Sequence, residues 1–264
     1  MQTAMQHTTI QTDSTSSVHH NMSEQEWQMR VDLAACYRII ASYGWDDLVF
    51  THISARVPGT EDEFLINPYG MLFEEITASS LVKVNKAGEK VAPSEYNVNP
   101  AGFIIHSAVH EARHDAHCVI HLHTNDGVAV ATQEQGLLPI SQQSLFPLSN
   151  LAYHNYEGVA LNPEEKVRLV DDLGDAHFMI LRNHGLLTCA DTVANAFLYM
   201  YLMQRACEIQ IKAQSGGSAL TPIPVQILAG IKAASEQVTR GANGDIAWPA
   251  LLRKLRRTDP SFEE

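Results

Sequence analysis

The chain has 264 residues, 45% hydrophobic and 18% charged, which is enough for one large α/β domain, and it lacks the run of roughly 18 apolar residues that a membrane helix needs. Eighteen Lys and Arg against 30 Asp and Glu give a net charge of −12. Such a surface repels phosphate backbones and anionic lipid, so neither a nucleic acid nor a membrane is expected as a partner. The basic cluster Arg253, Lys254, Arg256 and Arg257 reads as a solvated helix face.

Residues 1–22 are rich in Gln, Thr, Ser and His and read as a disordered tail; residues 23–264 read as a single domain, with a helical extension from about 218. A helix is expected from Ser23, an N-cap with Glu26 in a capping box, to a stop at Gly44. Strands are expected at Leu48 to Ile53 and Phe64 to Ile66, the second followed by the turn Asn67-Pro68-Tyr69-Gly70. Apolar stretches at Leu81 to Val84 and Glu89 to Val91 flank the hairpin signal Asn85-Lys86-Ala87-Gly88. Asn99-Pro100 opens a helix that ends near His114-Asp115. A buried strand from Cys118 to His123 follows, then a helix over Gly127 to Thr132. Glu164 to Leu173 is a helix, Phe178 to Leu181 and Leu186 to Cys189 are strands joined by the turn Asn183-His184-Gly185, and Asp191 to Gln214 is a long helix. Val225 to Val238 and Trp248 to Leu255 read as two more helices.

The four cysteines, Cys36, Cys118, Cys189 and Cys207, form no CxxC pair and sit among apolar neighbours. With no secretory leader visible at the N-terminus, they point to a reducing, cytoplasmic setting.

Six of the 13 histidines lie between His106 and His123, where two arrangements compete. His110-Glu111-Ala112-Arg113-His114 matches HExxH, but it lacks a third ligand, and the helix is already breaking at Asp115. In His121-Leu122-His123 both imidazoles leave the same strand face, close enough to share one metal ion. His184, in a tight turn after another buried strand, can project over the sheet edge as a third ligand, and three histidines with an open position are a catalytic type of site.

Those strings carry a resemblance. Val119-Ile120-His121-Leu122-His123-Thr124 and Leu181-Arg182-Asn183-His184-Gly185-Leu186 resemble the class II aldolase/adducin family. So do Thr51-His52-Ile53-Ser54-Ala55-Arg56, Leu65-Ile66-Asn67-Pro68-Tyr69-Gly70, Asn99-Pro100-Ala101-Gly102-Phe103, Gly136-Leu137-Leu138-Pro139-Ile140-Ser141 and Ala152-Tyr153-His154-Asn155-Tyr156. The match covers about residues 25 to 215 and is nearer to the adducin head than to the sugar-phosphate aldolases.

The resemblance implies a three-layer α/β/α fold with a central, mainly antiparallel sheet, a homotetramer with sites at subunit interfaces, and a divalent metal held by His121, His123 and His184. The metal expected is zinc, with iron or manganese as alternatives. Where aldolases of the family carry an acid/base glutamate this chain has Gly102, and where they carry phosphate-binding serines it has Pro100 and Ala101. His52 and Tyr69 stand at two further substrate positions, and Asn67, Gly70 and His106 complete the expected pocket. With the glutamate gone, Tyr156, His154 and a metal-bound water are the candidate catalytic groups. The function these features favour is a metal-dependent lyase, an aldolase or decarboxylase, acting on an unphosphorylated oxo- or hydroxy-acid. The alternatives are an adducin-like assembly module with a vestigial metal site, and a nonhaem iron oxygenase. Adducins bind actin and spectrin through a long basic tail that this sequence does not show, so actin binding is not expected.

Overall fold

The computed structural model describes residues 22–158, 164–239 and 243–264. The expected tail, save its last residue, lies outside them. Seven strands form one sheet in the order β3-β2-β1-β4-β7-β6-β5: β1 (His52–Arg56), β2 (Glu63–Ile66), β3 (Val82–Asn85), β4 (Cys118–Leu122), β5 (Leu151–His154), β6 (Phe178–Leu181) and β7 (Gly185–Ala190). Every neighbouring pair is antiparallel except β5 with β6. The fold class is therefore the mainly antiparallel α/β arrangement expected.

Side-chain alternation sorts the two faces of the sheet. Ile53, Ala55, Cys118, Ile120, Leu122, Phe178, Ile180 and Leu186 point into a large core. That core is closed by α1 (Glu24–Ser42) and the long α6 (Val193–Ser215), with Trp248 and Leu252 of α9 (Trp248–Thr258) joining it at the edge. Val119, Met179, Leu181, Leu187 and Cys189 point the other way, against α2 (Pro100–Ala112) and α5 (Glu165–Leu173). His52 and Ser54 of β1 and His121 of β4 belong by parity to this second face. There, buried polar groups interrupt the apolar packing.

Ser23 caps α1 by accepting from the Glu26 N–H at 3.1 Å. The box is only half made, because the Glu26 carboxylate pairs with buried Arg30 at 3.1 Å and with Lys83 at 2.9 Å instead of turning back. Tyr37 anchors α1 to β1: its buried hydroxyl accepts from the Ile53 N–H at 2.8 Å and sits 2.9 Å from Asn67 Oδ1.

Five elements depart from sequence expectation. The first strand begins at His52, not Leu48, because Leu48 adopts φ 50° and turns the chain before pairing with β4 begins. Glu89 to Val91 gives only the isolated bridge Val84 to Lys90; the Asn85 side chain accepts from the N–H groups of Ala87 and Glu89 and closes the turn locally. Helix α4 (Gln142–Leu148) and strand β5 have no counterpart among the expected elements. The helix expected over Val225 to Val238 is broken at Gly230 into α7 (Val225–Ala229) and α8 (Ile231–Thr239). The remaining helix, α3 (Asn125–Ala131), falls where expected, and among the described residues no helix is long and apolar enough to cross a membrane.

Candidate metal centre

β4 carries His121, and His123 follows one residue past its end on the same face. β6 and β7 turn through Arg182-Asn183-His184-Gly185, with Asn183 at φ 57°, a region asparagine tolerates better than most side chains. A Cβ on Gly185 would stand 2.5 Å from the Leu122 carbonyl oxygen and 3.1 Å from the His123 ring, so only glycine lets this turn press against the end of β4. The result is a cluster in which one ligand atom from each of His121, His123 and His184 lies within 4.8 Å of the others. Their ring centroids are 4.7 to 4.8 Å apart.

The tautomers follow from the outer hydrogen bonds. His121 Nδ1 lies 3.0 Å from the Leu186 carbonyl, an acceptor, so Nδ1 carries the proton of the neutral ring. His123 Nδ1 lies 3.1 Å from Asp47 Oδ2, also an acceptor, so it too is protonated. With both rings neutral, the form that ligates a metal, their Nε2 lone pairs therefore face each other at 2.9 Å. Two lone pairs so placed repel, and a cation between them converts the repulsion into coordination. Two nitrogens on one tetrahedral zinc stand about 3.3 Å apart, from Zn–N bonds of about 2.0–2.1 Å. This pair thus fits a divalent metal with small adjustment, His184 offers a third nitrogen within 4.8 Å, and Leu186 and Asp47 are the outer partners that fix ring orientation in such sites. Burial, reinforced by the neighbouring imidazoles, pushes His121 well below the ordinary histidine range and His184 down to about 4, so both rings are neutral ligands near pH 7.

The three histidines open on a cavity of about 370 Å³ whose wall includes Asp47, Phe50, His52, Gly102, Ile105 and Tyr156. No lysine or arginine is among its described lining residues. Tyr156 is about half exposed, its ring centroid 6.3 Å from that of His184. A second cavity of about 740 Å³ meets the first at Asn99 and is lined by Tyr69 and by Lys86, Lys90 and Lys166. Each of these ammonium groups is already engaged, with Asp62, with the Ser94 and Tyr96 carbonyls, and with Ser107 respectively.

The other expected site residues fall elsewhere. Asn67 is buried and tied to Tyr37, and Gly70 is exposed in its turn at φ 103°. His154 is buried outside the cavity lining, with Nδ1 2.7 Å from Asp172 and Nε2 3.7 Å from Glu165. His106 lies behind His52, ring centroids 4.5 Å apart. It ends a ladder in which His110 Nδ1 donates to the Ala116 carbonyl at 2.8 Å, Ser54 donates to His110 Nε2 at 2.7 Å, and His106 Nδ1 donates to Ser54 at 2.6 Å. The HExxH string is thereby dispersed: His110 is spent in this ladder, and His114 is exposed beyond the end of α2. Asp47, the partner of His123, escaped sequence reasoning because 76 residues separate the two and no spacing links them.

Residues 31–211 match the Class II Aldolase and Adducin N-terminal domain family. A Pseudomonas aeruginosa protein provisionally designated an aldolase class 2 protein is 61% identical over 94% of this chain and 97% of its own length. Mouse alpha-adducin is 46% identical over 72% of this chain, but the match spans only 26% of that protein. An aldolase II superfamily protein from Pseudomonas syringae, known from its crystal structure, superposes with a TM-score of 0.90 at 48% identity, covering 94% of this chain and 100% of that one. An L-fuculose 1-phosphate aldolase from Glaciozyma antarctica shares the fold with a TM-score of 0.76 at 24% identity, covering 94% of this chain and 96% of that one.

Proposed function

Because this chain belongs to the class II aldolase and adducin family, we propose that it is a metal-dependent lyase that breaks a carbon–carbon bond, by retro-aldol cleavage or decarboxylation, in a small unphosphorylated oxo- or hydroxy-acid. The observation that carries the reading is the pair of bare Nε2 atoms, 2.9 Å apart, on rings oriented by Leu186 and Asp47. His121, His123 and His184 would hold the ion, zinc by the chemistry of three imidazole ligands, with manganese as the alternative for a lyase. Bound there, it supplies Lewis acidity that stabilises negative charge on a substrate oxygen as the carbon–carbon bond breaks.

The chain's own residues narrow the substrate. A phosphate dianion would find no cationic side chain among the described residues of the metal cavity. Phe50 and Ile105 give that cavity an apolar side suited to a short carbon skeleton. Gly102 offers no carboxylate to start a proton abstraction, which favours decarboxylation, a cleavage that needs no base. Tyr156 reaches the cavity and is the group we assign to return a proton to the product. His154, held between Asp172 and Glu165, is the weaker candidate. We also take the assembly to be a homotetramer and its setting to be the cytoplasm.

A second reading, a non-catalytic assembly module, draws on the similarity to alpha-adducin and on the missing glutamate. Elemental analysis of untagged protein purified without chelator, beside His123→Ala, separates them. About one zinc or manganese per chain, lost in the variant, supports the lyase. Iron transfers the site to oxygenase chemistry, and no metal even after soaking in zinc leaves the module.

A further inference from the structure

Among the described residues, seven buried side-chain atoms lack a hydrogen-bond partner, and three of them, both ring nitrogens of His52 and His106 Nε2, belong to two packed imidazoles at the metal cavity; the others are Thr51 Oγ1, Arg56 Nε, His154 Nε2 and Glu165 Oε2. A buried polar atom left unpaired costs about 1–3 kcal/mol, so such a concentration calls for an explanation. His106 has one: its ladder to Ala116 fixes it as a bare acceptor behind His52. His52 has none among the described residues. The carbonyls of Phe50 and Gly102 lie near enough to act on its charge, yet neither makes a hydrogen bond of ordinary geometry with the ring.

The ring of His52 also stands in an unusual place. A Cβ built on Gly102 would lie 2.5 Å from His52 Nε2, 2.5 Å from Cε1 and 2.7 Å from Cδ2. No real Cβ tolerates such contacts, so a side chain at 102 and the imidazole of His52 exclude each other. Gly102 lies in the first turn of α2, where glycine is a poorer helix former than alanine by up to about 1 kcal/mol. The helix gives up that stability where the missing methyl makes room for the Nε2 end of His52 at the cavity wall.

We propose that His52 is the substrate-oxygen-binding residue of this site, presented through the space left by Gly102, and that it takes a hydroxyl or carbonyl oxygen of a short hydroxy- or oxo-acid. The inference rests on the metal reading of the preceding subsection. A neutral imidazole offers one N–H donor and one lone pair, so it can serve either oxygen, and Phe50 and Ile105 beside it suit the carbon chain. Gly102 and His52 then act as a coupled pair: enlarging one displaces the other, and because the His52 ring packs edge-on 5.3 Å from that of His121, zinc content is read in every variant beside glycolate affinity.

The test uses zinc-loaded full-length protein and glycolate as the probe, with affinity read by calorimetry and contact by the ring-nitrogen resonances of His52 in ¹⁵N-edited NMR. Gly102→Ala and His52→Leu are expected to weaken glycolate at least tenfold while zinc content stays at wild-type level. His52→Gln, which restores an amide donor and acceptor, is expected to recover part of the loss. Glycolate binding within twofold of wild type in both Gly102→Ala and His52→Leu overturns the proposal. So does the absence of any His52 shift on adding glycolate, or failure of the zinc-loaded wild type to bind it at tens of millimolar. A wild-type chain that takes up no zinc overturns the metal reading instead, and this inference falls with it.

Discussion

Replacing Asp47 tests the tautomer argument on which the metal centre stands. The carboxylate accepts from His123 Nδ1 at 3.1 Å, which holds the proton on that nitrogen and leaves Nε2 free as a donor to a metal. Loss of such an outer partner generally weakens a metal site 10- to 100-fold, or about 1.4–2.7 kcal/mol. Here the Asp47 side chain is 42% exposed and that of His123 22%, so water takes over part of the role and the loss falls at the lower end, about tenfold for Asp47→Ala. Asp47→Asn keeps an acceptor oxygen and loses only the charge, so its loss should be smaller, about threefold to fivefold. The assay is a competitive zinc titration against a chromophoric chelator, with circular dichroism to show an unchanged fold. Asp47→Ala holding zinc as tightly as wild type would refute the claim that this carboxylate sets the His123 tautomer.

Other consequences follow from buried groups. In the metal-free protein, burial holds His110 near a pKa of about 3 and His106 well below the ordinary range, while the unfolded chain protonates both near 6.5. The unfolded state therefore binds more protons below pH 6.5, so stability is complete above that pH and is lost as pH falls toward 3, by about 3 kcal/mol per pH unit for the pair. A urea midpoint that stays flat from pH 7 to pH 5 would contradict this. Tyr37→Phe leaves the Ile53 N–H and Asn67 Oδ1 without the hydroxyl and should cost about 2–4 kcal/mol in urea denaturation; a loss below about 1 kcal/mol would show the contact to be slack. Gly185→Ala drives a methyl into the Leu122 carbonyl and should cost about 1–3 kcal/mol and weaken zinc binding, checked by thermal melts and the same titration. All four cysteines are buried, and burial pushes the Cys189 thiol up to about 12 and the other three upward as well. A thiol-reactive chromophore should label the folded protein far more slowly than the urea-unfolded chain; equal rates would show the thiols to be accessible.

Much of this molecule was legible in its sequence because the signals are local. Ser23, Asn99-Pro100 and the long apolar periodicity before Ser215 mark helix ends through capping and proline geometry that need only neighbouring residues. The two-residue spacing of His121 and His123 sets both on one face by strand geometry alone, and the turn residues around His184 make a sharp return predictable. What stayed hidden depends on pairing across the fold. β5 has little pattern of its own and becomes a strand by lying parallel to β6, and Leu48 leaves the strand because β1 must enter in register with His121. Asp47 serves His123 across 76 residues, Ser54 joins His106 to His110 across 52 and 56, and His52 fills the space above Gly102 from a different element. A chain specifies its own caps, turns and face parity through bonds between near neighbours. Which side chains complete one another's hydrogen bonds, and which nitrogens are left bare for a ligand, is decided only when the sheet and helix α2 close on each other.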